Sequence, residues 1–291
     1  MATQKKFKVD WGSTMQKIKD QETAKKGKQK DDRFYYPQMK EDGTAHATLR
    51  FLQSKDTDVP FVKVYQHYFN GPGGWLIENC PTTLGNECPV CKANGELWND
   101  DPDTVRKRSR VVRYFANVLV VKDPQNPENE GKVFLFKYGK KIQAMLMEKL
   151  SPAEDIGETP VMIFDYYEGS NFKLNIKQVK VFNQTMPNYD SSRFEDMVTA
   201  IGDDETIEKV HSSLHGLAEF VDVHQFKDFN EISERYEKVV GNKPTGASTP
   251  VPASTSTSTT EKAADASSTS EEAFDGSDDA FFDALKEGSD S

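Results

Sequence analysis

Three cysteines and a histidine fall within 25 consecutive positions, in the order His67-x12-Cys80-x7-Cys88-x2-Cys91. Cys-x2-Cys forms a tight turn that aims two thiolates at one point. A third cysteine and a histidine complete a Cys3His set, the closed tetrahedral arrangement of structural zinc sites. Thiolate softness favours zinc over magnesium or calcium. Three cysteines cannot all pair with one another, so the cluster points to a metal in a reducing compartment rather than a disulfide framework. Gly71, Pro72, Gly73, Gly74, Pro81, Gly85 and Pro89 supply the turns such a loop needs. The expected zinc subdomain spans about residues 67–98, with one structural zinc. The competing reading makes Cys80 a small core residue and His67 a strand histidine, with His46 as another histidine nearby.

A catalytic zinc keeps one position open for water, and four protein ligands leave none. His67 is followed by Tyr68 and Phe69, so the H-x-E half of a deaminase signature is missing. No H-E-x-x-H, G-x-S-x-G or G-x-x-x-x-G-K-[ST] motif occurs. The chain is therefore expected not to be an enzyme.

Apolar–polar alternation marks strands in AHATLRFLQ (45–53), PFVKVYQHYF (60–69), RVVRYFANVLVV (110–121), KVFLFKYG (132–139) and NFKLNIKQVKVF (171–182). TPVMIFDYY (159–167) adds another run, and GKKIQAMLMEKL (139–150) has helical spacing. SSRFEDMVTAIG, DETIEKVHSSLHGLAEFV and FNEISERYEKVV predict a helical segment over about 190–240. The fold class expected is mainly β with added helices (α+β): an OB-fold-like barrel core over 31–240 carrying the zinc subdomain. No apolar run approaches the roughly 20 residues of a membrane span. The start, MATQKKFKVDW, lacks the apolar segment of a secretory signal.

The net charge of −10 conceals blocks of opposite sign. Residues 1–30 carry nine Lys and three acids, and 105–141 carry ten Lys/Arg and three acids. Residues 186–241 carry five Lys/Arg and thirteen acids, and 242–291 three Lys and ten acids. Any one block could be a solvated face; two basic and two acidic blocks in one chain suggest surfaces with separate tasks. In the second block cations and rings interleave. Arg106, Lys107, Arg108, Arg110 and Arg113 lead into Tyr114, and Phe136, Lys137, Tyr138, Lys140 and Lys141 follow. With Trp75, Trp98, Phe182 and Tyr189 these are the candidate DNA contacts. Single strands are held this way, cations tracking phosphates while rings stack on unpaired bases. Alternate strand positions face opposite sides, so about half of these residues belong to the core, Phe134 more than the tyrosines.

From Gly241 the chain becomes a Ser/Thr/Pro linker (241–260) and then an acidic tail (261–291), a composition with nothing to bury. Phe274 and the i, i+1, i+4 set Phe281, Phe282 and Leu285 stand among the acids and read as a partner-docking element.

The sequence resembles the T-even-type bacteriophage single-stranded DNA-binding protein (helix-destabilising protein) family over about 45–240. The resemblance rests on TLRFLQSK, GGWLIENC, CPVC, YFANVLVVKDPQNPENEGKVF, YGKKI, GETPV and EGSNFKLNIKQV. It implies an OB-fold core with structural zinc and cooperative, largely sequence-independent binding of single-stranded DNA in phage replication, recombination and repair. It also implies self-association along DNA through a basic N-terminal arm (1–30, with Lys5, Lys6 and Lys8). The acidic tail would recruit phage replication and recombination proteins in the cytoplasm of the infected bacterium, and no membrane is involved. Trp98 stands where the family has a DNA-facing tyrosine, and RKRSR (106–110) matches its basic motif. The alternatives are a zinc-containing RNA-binding regulator and a zinc enzyme acting on nucleic acid.

Overall fold

The computed structural model describes Met15 and residues 31–153, 159–181 and 184–241. The chain divides into two units, 1–34 and 35–291. In the first, Asp31 and Arg33 pair at 2.8 Å within a short turn. Lys5, Lys6, Lys8, Phe182, Phe274, Phe281, Phe282 and Leu285 lie outside the described residues, as do the linker after Gly241 and the tail.

The second unit is built on one antiparallel sheet of eight strands. They are β1 (Thr44–Phe51), β2 (Phe61–Gly71), β3 (Gly74–Asn79), β4 (Arg110–Lys122), β5 (Val133–Tyr138), β6 (Ser170–Val181), β7 (Gln184–Asn188) and β8 (Arg193–Val198). β4 and β6 are the spines. β4 pairs with β2 through its first half and β1 through its second, while β5 takes its other edge. β6 holds β1 on one edge and both β7 and β8 on the other.

Alternation turns Ala45, Ala47, Leu49 and Phe51 of β1 inward. Five rings converge on Phe51 at 5.7–6.3 Å: Phe136 and Tyr138 of β5, Phe172 of β6, Phe194 of β8, and Phe164. Rings from the far edges can meet on a central strand only if the sheet curls, so the expected OB-fold-like core is a half-barrel closed over by its own aromatic side chains. Each such pair contributes about 0.5–1.5 kcal/mol beyond area burial. On the outer face Leu52, Leu119 and Tyr166 pack against Ile207 and Val210 of helix α4 (Asp204–Ser212).

Three further helices complete the part that matters for function. α1 (Pro89–Leu97) and α2 (Pro102–Arg108) lie between β3 and β4, and α5 (Phe229–Val240) ends the described chain. Helix α3 (Lys140–Leu150) follows β5, where helical spacing placed it. α5 starts on a capping box, Asp228 with Glu231, and stops at Gly241, whose φ of 81° suits glycine.

Two expectations are corrected. The segment after Asp190 is not helical at first: Arg193–Val198 forms β8, because Phe194 sits opposite Phe172 of β6 and is buried there. Residues 159–167 form turns rather than a strand; the Asp165 carboxylate accepts from the amides of Tyr167 (2.7 Å) and Glu168 (2.8 Å), bending the chain away from any ladder. Among the described residues no helix is long and apolar enough to cross a membrane.

Candidate nucleic-acid interface and metal centre

The four residues of the Cys/His motif converge. His67 lies on β2, opposite Glu78 of β3 and Arg110 of β4. Cys80 follows β3 and opens a 3-10 turn, Pro81–Leu84. Cys88 is the N-cap of α1, and Pro89 fixes the first helical position, so Cys91 comes round in the first turn. The four ligand atoms lie within 4.8 Å of one another. Cys80 Sγ is 3.6 Å from Cys91 Sγ, and His67 Nε2 is 3.3 Å from Cys88 Sγ and 3.5 Å from Cys91 Sγ.

The surroundings orient these donors. His67 Nδ1 is 3.4 Å from the carbonyl oxygen of Arg108. A carbonyl only accepts, so Nδ1 carries a proton and Nε2 is the nitrogen that faces the sulfurs. Burial pulls the His67 pKa down, but bonding to Cys80 and Cys88 and their charge outweigh it and push it up to about 9. Sulfur bonds from Cys88 and Cys91 hold the Cys80 thiol far below its ordinary range, while the contacts with Cys80 and Cys88 hold Cys91 far above its own. A metal cation is bound by thiolates, so one placed among these sulfurs would relieve their mutual repulsion. The cysteines are unpaired with each other and Cys80 and Cys88 are buried. The four residues could hold a metal ion.

The subdomain is larger than its motif. Ile232 and Val239 of α5 pack with Cys80, Cys88, Val90, Phe69 and Leu76 in one apolar cluster. Glu78 accepts from Lys227 (2.7 Å) and Arg235 (2.8 Å), fixing α5 against β3. The expected boundaries of 67–98 therefore omit a helix that closes over the cluster from 130 residues downstream. No local signal in the sequence ties α5 to the cysteines.

His67 also fixes the parity of β2. The ladder to β4 pairs Phe61 with Ala116, Lys63 with Tyr114, Tyr65 with Val112 and His67 with Arg110, all on one face. Phe61 and Tyr114 are ring partners at 5.9 Å, at the rim of the aromatic core. Tyr114 stacks on Tyr138 at 5.5 Å. Beyond them the face opens: Lys63 Nζ lies 4.8 Å and the Arg110 guanidinium 4.1 Å from the centre of the Tyr65 ring, and both cations are exposed. Arg110 donates to Thr82 Oγ1 of the 3-10 turn. A strip of rings and cations thus runs from the core rim to the Cys/His cluster. Lys63, Tyr65 and Thr82 were not among the sequence candidates; counting back by twos from His67 along β2 reaches the first two.

The other candidates divide. Arg106 and Lys107 are exposed at the C-terminal turn of α2, where cations complement the helix dipole, and Arg106 also pairs with Asp103 at 2.8 Å. Arg108 is half-buried and donates to Tyr236 Oη at 3.2 Å. Trp98, just past α1, is 51 % exposed. Lys140 and Lys141 are exposed at the start of α3, Lys141 paired with Asp190 at 2.7 Å. Tyr189 is half-buried against the main core. Trp75 contacts Tyr68 at 4.9 Å and lines a surface cleft of about 590 Å³ with Arg235 and Lys238 of α5.

Three candidates are corrected. Phe136 and Tyr138 are core rings, 4 % and 3 % exposed, on the inward face of β5, and Arg113 is 2 % exposed on the face of β4 opposite Tyr114. A strand lying on the surface reaches none of them. Lys137 alternates to the outside of β5, beside the Phe115 ring at 6.0 Å.

A family model described as "gp32 DNA binding protein like" matches residues 42–240. The single-stranded DNA-binding protein of Enterobacteria phage T2 is 38 % identical over 213 residues, 71 % of this chain and 69 % of that protein. The chain belongs to the gp32-like family. Its counterpart from Enterobacteria phage T4 is 37 % identical over the same share of both chains, and that of Enterobacteria phage RB70 37 % over 78 residues, 25 % of this chain and 67 % of that protein. The resemblance carried by CPVC and the VVKDP…PENEGKVF stretch is borne out. The gp32-like family is one of binding proteins rather than enzymes. The matched region contains the Cys/His cluster and the β2–β4 strip and ends on the last residue of α5.

Proposed function

We propose that the protein binds single-stranded DNA with little sequence preference, along the β2–β4 strip. The observation that carries this reading is the placement of Tyr65 and Tyr114 beside Lys63 and Arg110 on one open face next to the cluster. Rings there can stack on unpaired bases of any identity while the cations meet phosphates. Trp98, Arg106 and Lys107, exposed on neighbouring helices, would extend the track. The two T-even relatives are named single-stranded DNA-binding proteins, which supports the same ligand.

His67, Cys80, Cys88 and Cys91 would hold one structural zinc. Zinc–sulfur bonds of about 2.3 Å and zinc–nitrogen bonds of about 2.0–2.1 Å at tetrahedral angles require S···S edges of about 3.8 Å and S···N edges of about 3.6 Å. The distances of 3.6 Å between sulfurs and 3.3 and 3.5 Å from nitrogen to sulfur are close to those edges. When bound, the zinc would tie β2, the 3-10 turn and α1 together. The protein's own residues do the binding of DNA.

The protein would coat strands exposed in phage replication, recombination and repair, in the cytoplasm of the infected bacterium. Residues 1–30, with Lys5, Lys6 and Lys8, would carry self-association along the strand. The tail 261–291 would recruit replication and recombination proteins through Phe274, Phe281, Phe282 and Leu285. Its charge would also compete with phosphate for the basic strip at a high effective concentration. Truncation after Gly241 is expected to tighten binding at low salt, where screening is weak, and to abolish partner capture.

The test is a pair of salt-titrated isotherms, on poly(dT) and on duplex DNA, with poly(rU) alongside. Tight, salt-sensitive binding to poly(dT) with weak duplex binding is expected. Equal affinity for duplex would contradict the proposal, and a preference for poly(rU) would move it to RNA.

A further inference from the structure

A short relay of bonds joins the metal cluster to the strip. Cys80 Sγ lies 3.1 Å from Thr82 Oγ1. The same Thr82 oxygen accepts from Arg110 Nη1, and Arg110 lies over the Tyr65 ring at 4.1 Å. The next residue repeats the link on the backbone: Tyr65 N donates to Thr83 Oγ1 at 2.9 Å, and Cys80 N donates to Tyr65 O at 2.7 Å. The 3-10 turn is therefore bonded on one side to a candidate metal ligand. On the other it is bonded to both groups expected to meet a nucleotide.

The donors fix the direction of the relay. A guanidinium only donates, and a threonine hydroxyl has one proton. With Arg110 occupying an oxygen lone pair, the Thr82 proton is available for the sulfur, and a sulfur that ligates a metal accepts it. An exposed arginine at the start of a strand otherwise samples many rotamers and must give them up when it binds. Its five donors allow a phosphate to be met while the bond to Thr82 persists.

We propose that Thr82 is a positioning residue. It pins Arg110 over the Tyr65 ring at a place set by the Cys/His cluster, so that the cation and ring are already paired when a phosphate and its base arrive. This rests on the single-stranded DNA reading above, and it makes metal occupancy felt at the strip through one hydroxyl.

The test compares Thr82→Val, which keeps the shape and removes the hydroxyl, with Thr82→Ser, which restores it. Three quantities are read in each full-length protein: metal content by elemental analysis, the Arg110 side-chain Nε–H resonance without DNA, and the salt dependence of poly(dT) binding. Thr82→Val is expected to retain its metal, to shift the Arg110 resonance towards that of a freely rotating arginine, and to bind several-fold more weakly. Its log–log salt slope should stay that of the wild type, because the Arg110 charge is still there to meet the phosphate. Thr82→Ser should match the wild type in all three. An unchanged Arg110 resonance or an unchanged affinity in Thr82→Val would overturn the proposal. So would loss of the metal, which would make Thr82 part of the metal site itself. If the wild type failed to bind poly(dT), the function proposal would fall, while the Arg110 resonance would still decide the relay.

Discussion

The Arg110 guanidinium lies 4.1 Å over the ring of Tyr65, its diagonal neighbour across the β2–β4 ladder. Exposed cation–ring contacts contribute only about 0.5–1 kcal/mol, so this one matters less for stability than for where it leaves a positive charge. Tyr65 is half-buried, with Lys63 at 4.8 Å, and the pair sits between the aromatic rim and the Cys/His cluster.

The two partners are expected to fail differently. Tyr65→Ala should weaken poly(dT) binding by about 1–3 kcal/mol at fixed salt, the usual worth of one base–ring stack. Arg110→Ala should instead flatten the salt dependence, removing one phosphate contact. Fluorescence isotherms at several salt concentrations separate the effects; identical slopes for Arg110→Ala and wild type would take Arg110 out of the track.

Phe136 belongs to the fold and not to the ligand. Phe136→Ala should destabilise the half-barrel by about 3–5 kcal/mol through the cavity it leaves beside Phe51 and Tyr35. The fraction still folded should bind poly(dT) with unchanged affinity. Denaturant melts with binding measured below the transition provide the check.

Metal removal should act locally. Binding of a metal is coupled to folding of the segments that supply its ligands. Chelation is expected to speed amide exchange over residues 67–97 and in α5, whose Ile232 and Val239 pack on Cys80 and Cys88. β1 and β6 should stay protected. Cys88→Ser should lower metal content, and exchange rising uniformly through the sheet would contradict a local role.

A carboxylate makes one part of the fold acid-sensitive. Asp56 accepts from the amides of Leu217 (2.9 Å) and Ala218 (3.2 Å) and from Ser54. Burial raises its pKa, but these bonds outweigh burial and hold it below the ordinary carboxylate value. A depressed folded pKa gives stability that is present above the unfolded value, about 3.9, and lost as pH falls below it. Asp56→Asn should therefore lower Tm at pH 7 and shrink the difference from wild type as pH falls below 4. A constant difference across that range would show that the charge is not what matters.

The convergence of the four candidate metal ligands was legible because their spacing is local: a Cys-x2-Cys turn and two further residues fall within 25 positions. Helix α3 and most strands were legible for the same reason, in the period of their own residues. What needed the fold was anything decided by a distant partner. β8 reads as helical until Phe172 stands opposite Phe194. Phe136 and Tyr138 share their parity with Phe134, which sequence reasoning gave to the core, and so all three face inward together. Tyr65 was missed although it stands two residues before His67, because it lies outside the basic runs of β4 and β5 and only the face that the histidine defines points to it. The place of α5 rests on packing across 130 residues and had no sequence signal.

The central claim is that a single strand lies along the β2–β4 strip beside the metal cluster. Photocrosslinking of 5-iodouracil-substituted oligo(dT) to the full chain, followed by mapping of the modified residues, tests it most directly. Adducts at Tyr65 and Tyr114, lost when excess poly(dT) competes, are the expected result. Adducts confined to the outer face, at Tyr167 or at Trp75 with no product on Tyr65 or Tyr114, would contradict the account.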